Sequence, residues 1–599
     1  MGIFEILSLV CGLALFLYGM DVMGNGLKKS AGRRLKIILG NLTSSKLKGF
    51  LLGLGVTAII QSSSATTVMV VGFVNAGTML LSQAISVILG ANLGTAVTAW
   101  LTALNGIEGG ADATAWLNYL KPDAWMPILA LIGICLIMFA KKDKQKDVGS
   151  ILLGFAVLMV GMSTMSDAVS SLKHDPNFAR LFTMFENPIL GVLAGTVLTA
   201  LVQSSSASVG ILQALSVTGA ISFGTAIPII LGQNIGTCVT AMISAISAGK
   251  NGKRTAMAHL YFNVIGVVFW LSMYYLISWI LKTAGIFDIL TLAHSTPINM
   301  FGIAIVHTIF KILAIAMMWP FTKLLEKLAT ASVKGDDKKG DEYTSMLDDR
   351  LLDTPSVAIE NARKVACRMA ELSIHSLRNS LALFDNYDAK VAGEIREQEG
   401  TVDVYEDALG SYLVKISSKD LDEIESIEVT KLLHIIGDLE RISDHSVNLV
   451  ESVEEIRDKQ ISFSDYANEE LRVIRTAVDE ILSLSLEAFL GSDMTKAATV
   501  EPLEQVIDKL RDQIKLRHTI RLQKSLCSIE LGFVLSDILT NLERVSDHCS
   551  NVAGCVLEMS RHESLDLHHY LHDVRESDEN YDRNYHAFSE KYTLPADIA

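Results

Sequence analysis

Two copies of one polar tetrad set in apolar sequence constrain this chain more than any other feature. Gln61-Ser-Ser-Ser-Ala-Thr66 lies between Gly55-Val-Thr-Ala-Ile-Ile60 and Val68-Met-Val-Val-Gly72, and its echo is Gln203-Ser-Ser-Ser-Ala-Ser208. Small hydroxyl side chains between runs this apolar are expected at membrane depth. Polar, non-helical backbone is tolerated there only where protein buries it or where it lines an aqueous cavity. The tetrads are therefore read as a binding site.

The echo extends beyond the tetrad. One constant shift pairs Gly53 with Gly195, Thr57 with Thr199, Gly77 with Gly219, Gly90 with Gly232, Asn92 with Asn234, Gly94-Thr95 with Gly236-Thr237, and Thr98 with Thr240. No gap is needed, so the first half of the chain is a duplication.

The apolar excess is confined to the first 320 residues. Lys334-Gly-Asp-Asp-Lys-Lys-Gly-Asp-Glu342 then reads as a solvated linker, and the remainder is rich in Glu, Asp and Arg at helical spacing. The expected order is a membrane domain over about 1–320, a linker over 321–355, a soluble helical domain over 356–565 and a polar, frayed tail over 566–599. A net charge of −15 excludes nucleic acid as an expected partner. The seven cysteines form no C-x-x-C pair and no zinc spacing, which fits a reducing setting for the soluble part.

Charge asymmetry gives a topology. Residues 3–20 read as a retained membrane helix, followed by a basic cytoplasmic segment with Lys28, Lys29, Arg33, Arg34, Lys36, Lys46 and Lys48. Residues 49–60 and 65–78 are too short to cross a bilayer and are expected to form a re-entrant hairpin with the serines at its tip. Residues 84–103 cross outward to an acidic loop (105–123), 124–140 cross back to the basic turn Lys141–Lys146, and 148–166 cross out. The second hairpin (189–218) then enters from the other face, and 226–247 cross inward to the basic loop Lys250–Arg254. Flanking loops of opposite charge around the two copies predict inverted repeats, about 1–104 and 147–247, with a site near the midplane where interrupted helices meet. Two further helices (257–281 and 298–320) return the chain to the cytoplasm.

Six amphipathic runs, near 356–384, 388–416, 424–455, 466–491, 498–523 and 526–562, follow the linker. They are duplicated too: Leu439-Glu-Arg-Ile-Ser-Asp-His445 recurs as Leu542-Glu-Arg-Val-Ser-Asp-His548, with Asn448 matching Asn551. Two three-helix bundles are expected, and the whole chain is expected to be all-α.

Half-helix N-termini present unpaired N–H groups and partial positive charge, which suit an oxyanion. Ser62, Ser63, Ser64, Ser204, Ser205 and Ser206, with Asn92 and Asn234, are the candidate substrate ligands. Gln61, Thr66, Thr95, Gln203, Ser208 and Thr237 offer the oxygen ligands a hard cation such as Na+ takes. The competing reading is that such groups only bond their own helix or a neighbour, which remains open for Asn92 and Asn234. A catalytic serine would need a base and an orienting acid. His259 and His307 lack an evident carboxylate partner, so no enzyme is expected. Arg254 is expected to snorkel to the interface; Lys311 lies deep enough to need a partner.

These residues carry a resemblance. The paired tetrads, Gly90-Ala-Asn-Leu-Gly-Thr95 with Gly232-Gln-Asn-Ile-Gly-Thr237, and Arg254-Thr-Ala with His259 and Phe262-Asn263, resemble the type II sodium/phosphate cotransporter family over about residues 1–320. The soluble half is similar to PhoU, a helical regulator of bacterial phosphate uptake. The resemblance implies Na+-coupled transport of inorganic phosphate by alternating access in a bacterial inner membrane, with a cytoplasmic PhoU-like regulatory domain. Phe310-Lys311 departs from the second Phe-Asn pair the family leads one to expect. A phosphate exporter of the same fold and a membrane-tethered phosphate sensor are the alternatives, and a dimer is left open.

Glu399 with Asp403, Glu440 with Asp444, Glu504 with Asp508, and Glu543 with Asp547 each place two carboxylates one helical turn apart. Such groups bind hard or borderline metals, divalent or iron-type, and PhoU-like domains are similar in carrying metal clusters on such motifs. The alternative is a solvated face paired to Arg441 and Arg544.

Overall fold

The computed structural model describes residues 3–40, 45–106, 122–170, 172, 184–283, 295–335, 343–561 and 579–595. The chain forms two compact units, Met1–Gly340 and Asp341–Ala599. The expected acidic loop at 107–121 and the charged linker at 336–342 lie outside the described residues.

In the first unit, α1 (Ile3–Gly40) is a single helix. It is followed by α2 (Lys46–Ile60), α3 (Ser63–Asn75), α4 (Leu81–Ala103), α5 (Pro122–Phe139) and α6 (Asp143–Ser170). The second copy supplies α7 (Pro188–Val202), α8 (Ser205–Ser216), α9 (Phe223–Gly236) and α10 (Cys238–Ser244), and the unit ends in α11 (Lys250–Thr283), α12 (Met300–Met318) and α13 (Thr322–Ser332). Six helical stretches are long and apolar enough to span a membrane: 3–30, 81–106, 143–170, 223–244, 250–281 and 300–332. Residues 124–139, expected to cross, form a shorter apolar helix.

Close approach of backbones builds this unit. Gly12 lies against Gly161, and Gly19 against Gly154, so α1 and α6 pack antiparallel with their backbones in close approach. The constant shift carries Gly12 to Gly154 and Gly19 to Gly161. The seam therefore maps onto itself when the copies are exchanged. Within each copy a second glycine seam recurs: Gly53 and Gly90 join α2 to α4 through the Val87 and Phe50 carbonyls, and Gly195 and Gly232 join α7 to α9 through the Ile229 and Val192 carbonyls. Small residues of this kind let membrane helices approach.

The predicted crossing at 226–247 falls on the apolar stretch 223–244, long enough to span, with a one-residue interruption at Thr237 between α9 and α10. Three expectations need correction here. The loop expected at Lys250–Arg254 is the first turn of α11. Arg254 does not snorkel: it is 8% exposed and donates to the Val333 carbonyl at 3.1 Å and to the Gly335 carbonyl, closing the C-terminal end of α13. Residues 322–332 thus belong to a helix rather than to a linker.

The second unit is two bundles of three helices. The first is α14 (Pro355–Ala382), α15 (Ala389–Ser417) and α16 (Glu423–Asp458). The second is α17 (Asp465–Gly491), α18 (Met494–Gln523) and α19 (Ile529–Arg561). These bounds fall within a few residues of the predicted ones. The bundles meet chiefly along α16 and α19, where the His445 and His548 rings stack at 5.8 Å. His548 Nδ1 bonds Asp438 across the seam, and His445 Nδ1 bonds Asn541, each at 2.8 Å.

The tail expected to fray contains α20 (Glu579–Lys591), which packs on α18. The reason is an aromatic stripe, Tyr581, Tyr585, Phe588 and Tyr592, at helical spacing; Tyr581 and Tyr592 are buried, and Tyr592 donates to Glu480.

Glu470 is 2% exposed and receives Arg521 at 2.7 Å and Arg517 at 3.3 Å. Glu470→Leu would leave both guanidinium groups without their main counter-charge. The expected cost is about 3 kcal/mol, the low end for a broken buried pair because both arginines keep some water contact. Thermal unfolding of the full chain, followed on the second unit, checks this; an unchanged midpoint would refute it.

Candidate functional site

Each tetrad sits at a break between two short helices, and the two breaks have the same geometry. Gln61 (φ 59°, ψ 20°) and Gln203 (φ 55°, ψ 19°) adopt the left-handed conformation, which is uncommon for a residue bearing a side chain. Each donates its N–H to the carbonyl four residues back, Thr57 or Thr199, and ends its helix. The next residue is extended, Ser62 at φ −143° and Ser204 at φ −140°, and caps the following helix. Their hydroxyls accept from Ala65 N and Ala207 N, each at 3.2 Å.

The serines thereby divide into two kinds. Ser62 and Ser204 are spent on capping. The hydroxyls of Ser63, Ser64, Ser205 and Ser206 bond no other group among the described residues. They lie in the first turn, beside N–H groups that have no intrahelical partner. Ser63, Ser205 and Ser206 are buried. Free hydroxyls and free N–H groups at a positively polarised helix end suit an oxyanion, and each copy presents one such end.

Behind each tip a hydroxyl pair bridges the two short helices. Thr57 donates to Thr66 at 3.0 Å, and Thr199 donates to Ser208 at 2.9 Å. Each short helix after the break then packs on the long helix of the other copy, α3 on α10 and α8 on α4.

Other predicted ligands are partly committed elsewhere. Thr95 donates to Ala91 O at 3.3 Å and Thr237 to Gln233 O at 2.9 Å, so their protons serve their own helices and only lone pairs remain. Asn234 bonds Ile230 O at 2.8 Å, whereas the buried Asn92 leaves Nδ2 without a partner. Gln61 is buried and accepts from Thr98 at 2.8 Å. Its counterpart Gln203 is exposed, and Thr240, the counterpart of Thr98, has an unpartnered hydroxyl. The two copies match in backbone and differ in this pair. His259 and His307 both leave Nδ1 without a partner among the described residues.

Gln213 was not among the predicted site residues. It is fully buried on α8, accepts from Thr102 at 2.6 Å, and donates to the carbonyls of Ala99 at 3.0 Å and Met300 at 3.2 Å. A lone amide in an apolar helix was the available signal. Gln213→Leu strands a hydroxyl and two carbonyls, and an expected loss of about 1–3 kcal/mol would appear as a lower melting midpoint of the purified chain; an unshifted midpoint would refute it.

In the second unit six of the eight predicted carboxylates gather into two triads. Glu399 and Asp403 on α15 meet Asp444 on α16, and Glu504 and Asp508 on α18 meet Asp547 on α19, with one oxygen from each residue within 4.8 Å of the others. Glu440 and Glu543 fall outside the triads: Glu543 accepts from Arg511 at 2.6 Å, and Glu440 lies against Arg441, arginines that also reach Asp508 and Asp444 of the triads. Burial and then neighbouring carboxylates push Glu504 up to about 8 and Glu440 up to about 7, and raise Glu399, Asp403 and Asp547. The donors are all hard oxygens, which fits a metal of the hard or borderline class.

Apolar spanning helices, a duplicated pair of broken helices and an appended six-helix unit define a polytopic membrane protein of the transporter class. The profile of the Na+/Pi-cotransporter family matches residues 15–167 and again 157–318, and that of the PhoU domain matches 366–453 and 471–556. The chain belongs to the Na+/Pi-cotransporter family of phosphate transporters and carries a PhoU domain; neither family is one of enzymes. It is 25% identical over 562 residues to "Putative inorganic phosphate export protein YjbB" of Salmonella typhimurium, covering 92% of this chain and 97% of that one. It is 23% identical over 379 residues to the mouse (Mus musculus) sodium-dependent phosphate transport protein 2A, covering 43% of this chain and 59% of that one. Among solved structures, PhoU from Pseudomonas aeruginosa aligns with a TM-score of 0.32 at 21% identity, covering 34% of this chain and 96% of that one.

Proposed function

We propose that the chain is a Na+-coupled secondary transporter of inorganic phosphate working by alternating access across the inner membrane. The observation that carries this reading is the pair of superimposable breaks with free Ser63, Ser64, Ser205 and Ser206 hydroxyls. Phosphate is held by these hydroxyls and the adjoining N–H groups, with Asn92 and Asn234 beside it. Gln61, Thr66, Thr95, Gln203, Ser208 and Thr237 supply oxygens for Na+. The antiparallel packing of the equivalent helices α1 and α6 supports inverted repeats whose short helices enter the membrane from opposite faces as hairpins. The printed name of the mouse relative supports Na+ as coupling ion.

Phosphate accumulation in proteoliposomes under an inward Na+ gradient tests the reading. Accumulation indifferent to Na+ would remove the coupling ion, and binding without accumulation would point to a sensor. Export is a second reading, favoured by the name of the Salmonella relative, which this chain matches almost end to end. Reversing the gradient in the same vesicles separates it: a transporter that runs in both directions leaves direction to the cell's gradients.

The PhoU domain is cytoplasmic in this proposal and regulates transport. Removal of residues 341–599 is expected to abolish the response of uptake to phosphate supply, and an unaltered response would end that part of the proposal. The two triads are proposed to hold one metal ion each. Asp444→Asn with Asp547→Asn is expected to eliminate bound Mn2+ or Fe2+ measured by elemental analysis after dialysis; retention of full metal content would refute it.

A further inference from the structure

Lys311 lies in the middle of α12, 3% exposed, on the helix that carries Phe310 and Ala314 into an apolar cluster with Leu89 and Phe262. Its ammonium donates to the Asn92 carbonyl at 2.6 Å, and among the described residues it forms no ion pair. An isolated charge in such surroundings costs several kcal/mol. A structural role in packing would be met more cheaply by an apolar side chain.

The equivalent carbonyl of the second copy, that of Asn234, has different neighbours: Cys238, four residues on, and, behind it, Asn263 on α11. Asn263 Nδ2 donates to Cys238 Sγ at 3.3 Å, and that thiol in turn donates to the Asn234 carbonyl at 3.7 Å. Asn92 and Asn234 are equivalent by the constant shift. The same carbonyl is therefore met in one copy by a thiol that a neutral amide supports, and in the other by the amino group of a lysine. The side chains agree with this asymmetry: Asn234 is committed to its own helix, whereas Asn92, beside Lys311, leaves its buried amide nitrogen without a partner.

A backbone carbonyl at a helix–helix junction inside a membrane is the ligand type that a hard monovalent cation takes. We propose that the Lys311 ammonium is a tethered cation, occupying at Gly90-Ala-Asn-Leu-Gly-Thr95 the place of one coupling Na+. Phosphate binding in this chain then needs one Na+ fewer than it would with a neutral residue at 311. The incoming phosphate supplies the negative charge that Lys311 lacks in the empty site. The inference rests on the Na+-coupled reading above and specifies its ion count.

The test is phosphate binding by the full-length chain in lipid nanodiscs over a Na+ series at constant ionic strength with choline. The slope of log affinity against log Na+ concentration counts the ions linked to binding. Lys311→Asn and Lys311→Gln are expected to steepen it by about one, an extra tenfold change per decade of Na+, and Lys311→Arg to leave it at the wild-type value. An unchanged slope in either neutral variant, shown by its melting curve to be folded, overturns the inference. So does loss of phosphate binding at saturating Na+ in a folded neutral variant, which would make Lys311 a direct phosphate ligand. If the wild-type chain shows no Na+ dependence, the coupling reading fails on its own, and the inference then stands only if the neutral variants acquire one.

Discussion

Replacing Ser63 and Ser205 together by alanine is expected to lower phosphate uptake by about a hundredfold or more while the chain stays folded. Each hydroxyl can donate to an anionic oxygen, and a hydrogen bond to a charged group contributes about 1.5–3 kcal/mol. Two such losses multiply to at least that factor. Folding should survive because neither hydroxyl bonds another group among the described residues. Ser62→Ala makes the opposite case: it removes a helix cap, costs about 1 kcal/mol of stability, and reaches transport only through the position of α3. Radiolabelled phosphate uptake and melting curves on the same preparations distinguish them. Wild-type uptake by the double variant would dismiss the tetrads as the binding site.

Gly90→Ala is expected to be as damaging to the fold as the serine pair is to transport. A Cβ at Gly90 would fall inside the Phe50 carbonyl, and the neighbour that must move is backbone rather than a flexible side-chain end. Overpacking of that kind costs about 3 kcal/mol or more. Gly232→Ala meets the Val192 carbonyl in the same way and should cost a similar amount. In contrast, Gly55 has open space around its Cβ position, and Gly55→Ala should be tolerated. Fluorescence-detected size-exclusion profiles after heating rank the three, and a Gly90→Ala profile like that of Gly55→Ala would contradict the seam.

The duplication made most of this legible before any coordinates. Matching Gly53, Gly90 and the tetrads to their echoes identified where two helices would break and which glycines would recur. The six soluble helices followed from apolar spacing, because each buries one stripe in a bundle. What escaped notice was set by partners distant in sequence. Arg254 looked like an interfacial charge because its acceptors, the carbonyls of Val333 and Gly335, are backbone atoms with no sequence signature. The stripe from Tyr581 to Tyr592 was readable but was outweighed by the polarity around it. Of the eight carboxylates the pattern proposed for metal, only the structure could separate Glu543, held by Arg511, from the six that converge.

The seam between α1 and α6 carries a consequence for how such a protein changes state. Its contacts are isologous: Gly12 with Gly161 and Gly154 with Gly19 are one contact written twice. Any arrangement in which the first copy adopts one shape and the second another has a twin of equivalent backbone geometry with the shapes traded. Exchange leaves the seam itself where it was. The buried Gln61 and the exposed Gln203 are such a pair of unlike shapes, so the twin arrangement has Gln203 enclosed with Thr240 and Gln61 released from Thr98. In the alternating-access reading proposed above, the glycine seam is the part that stays in place.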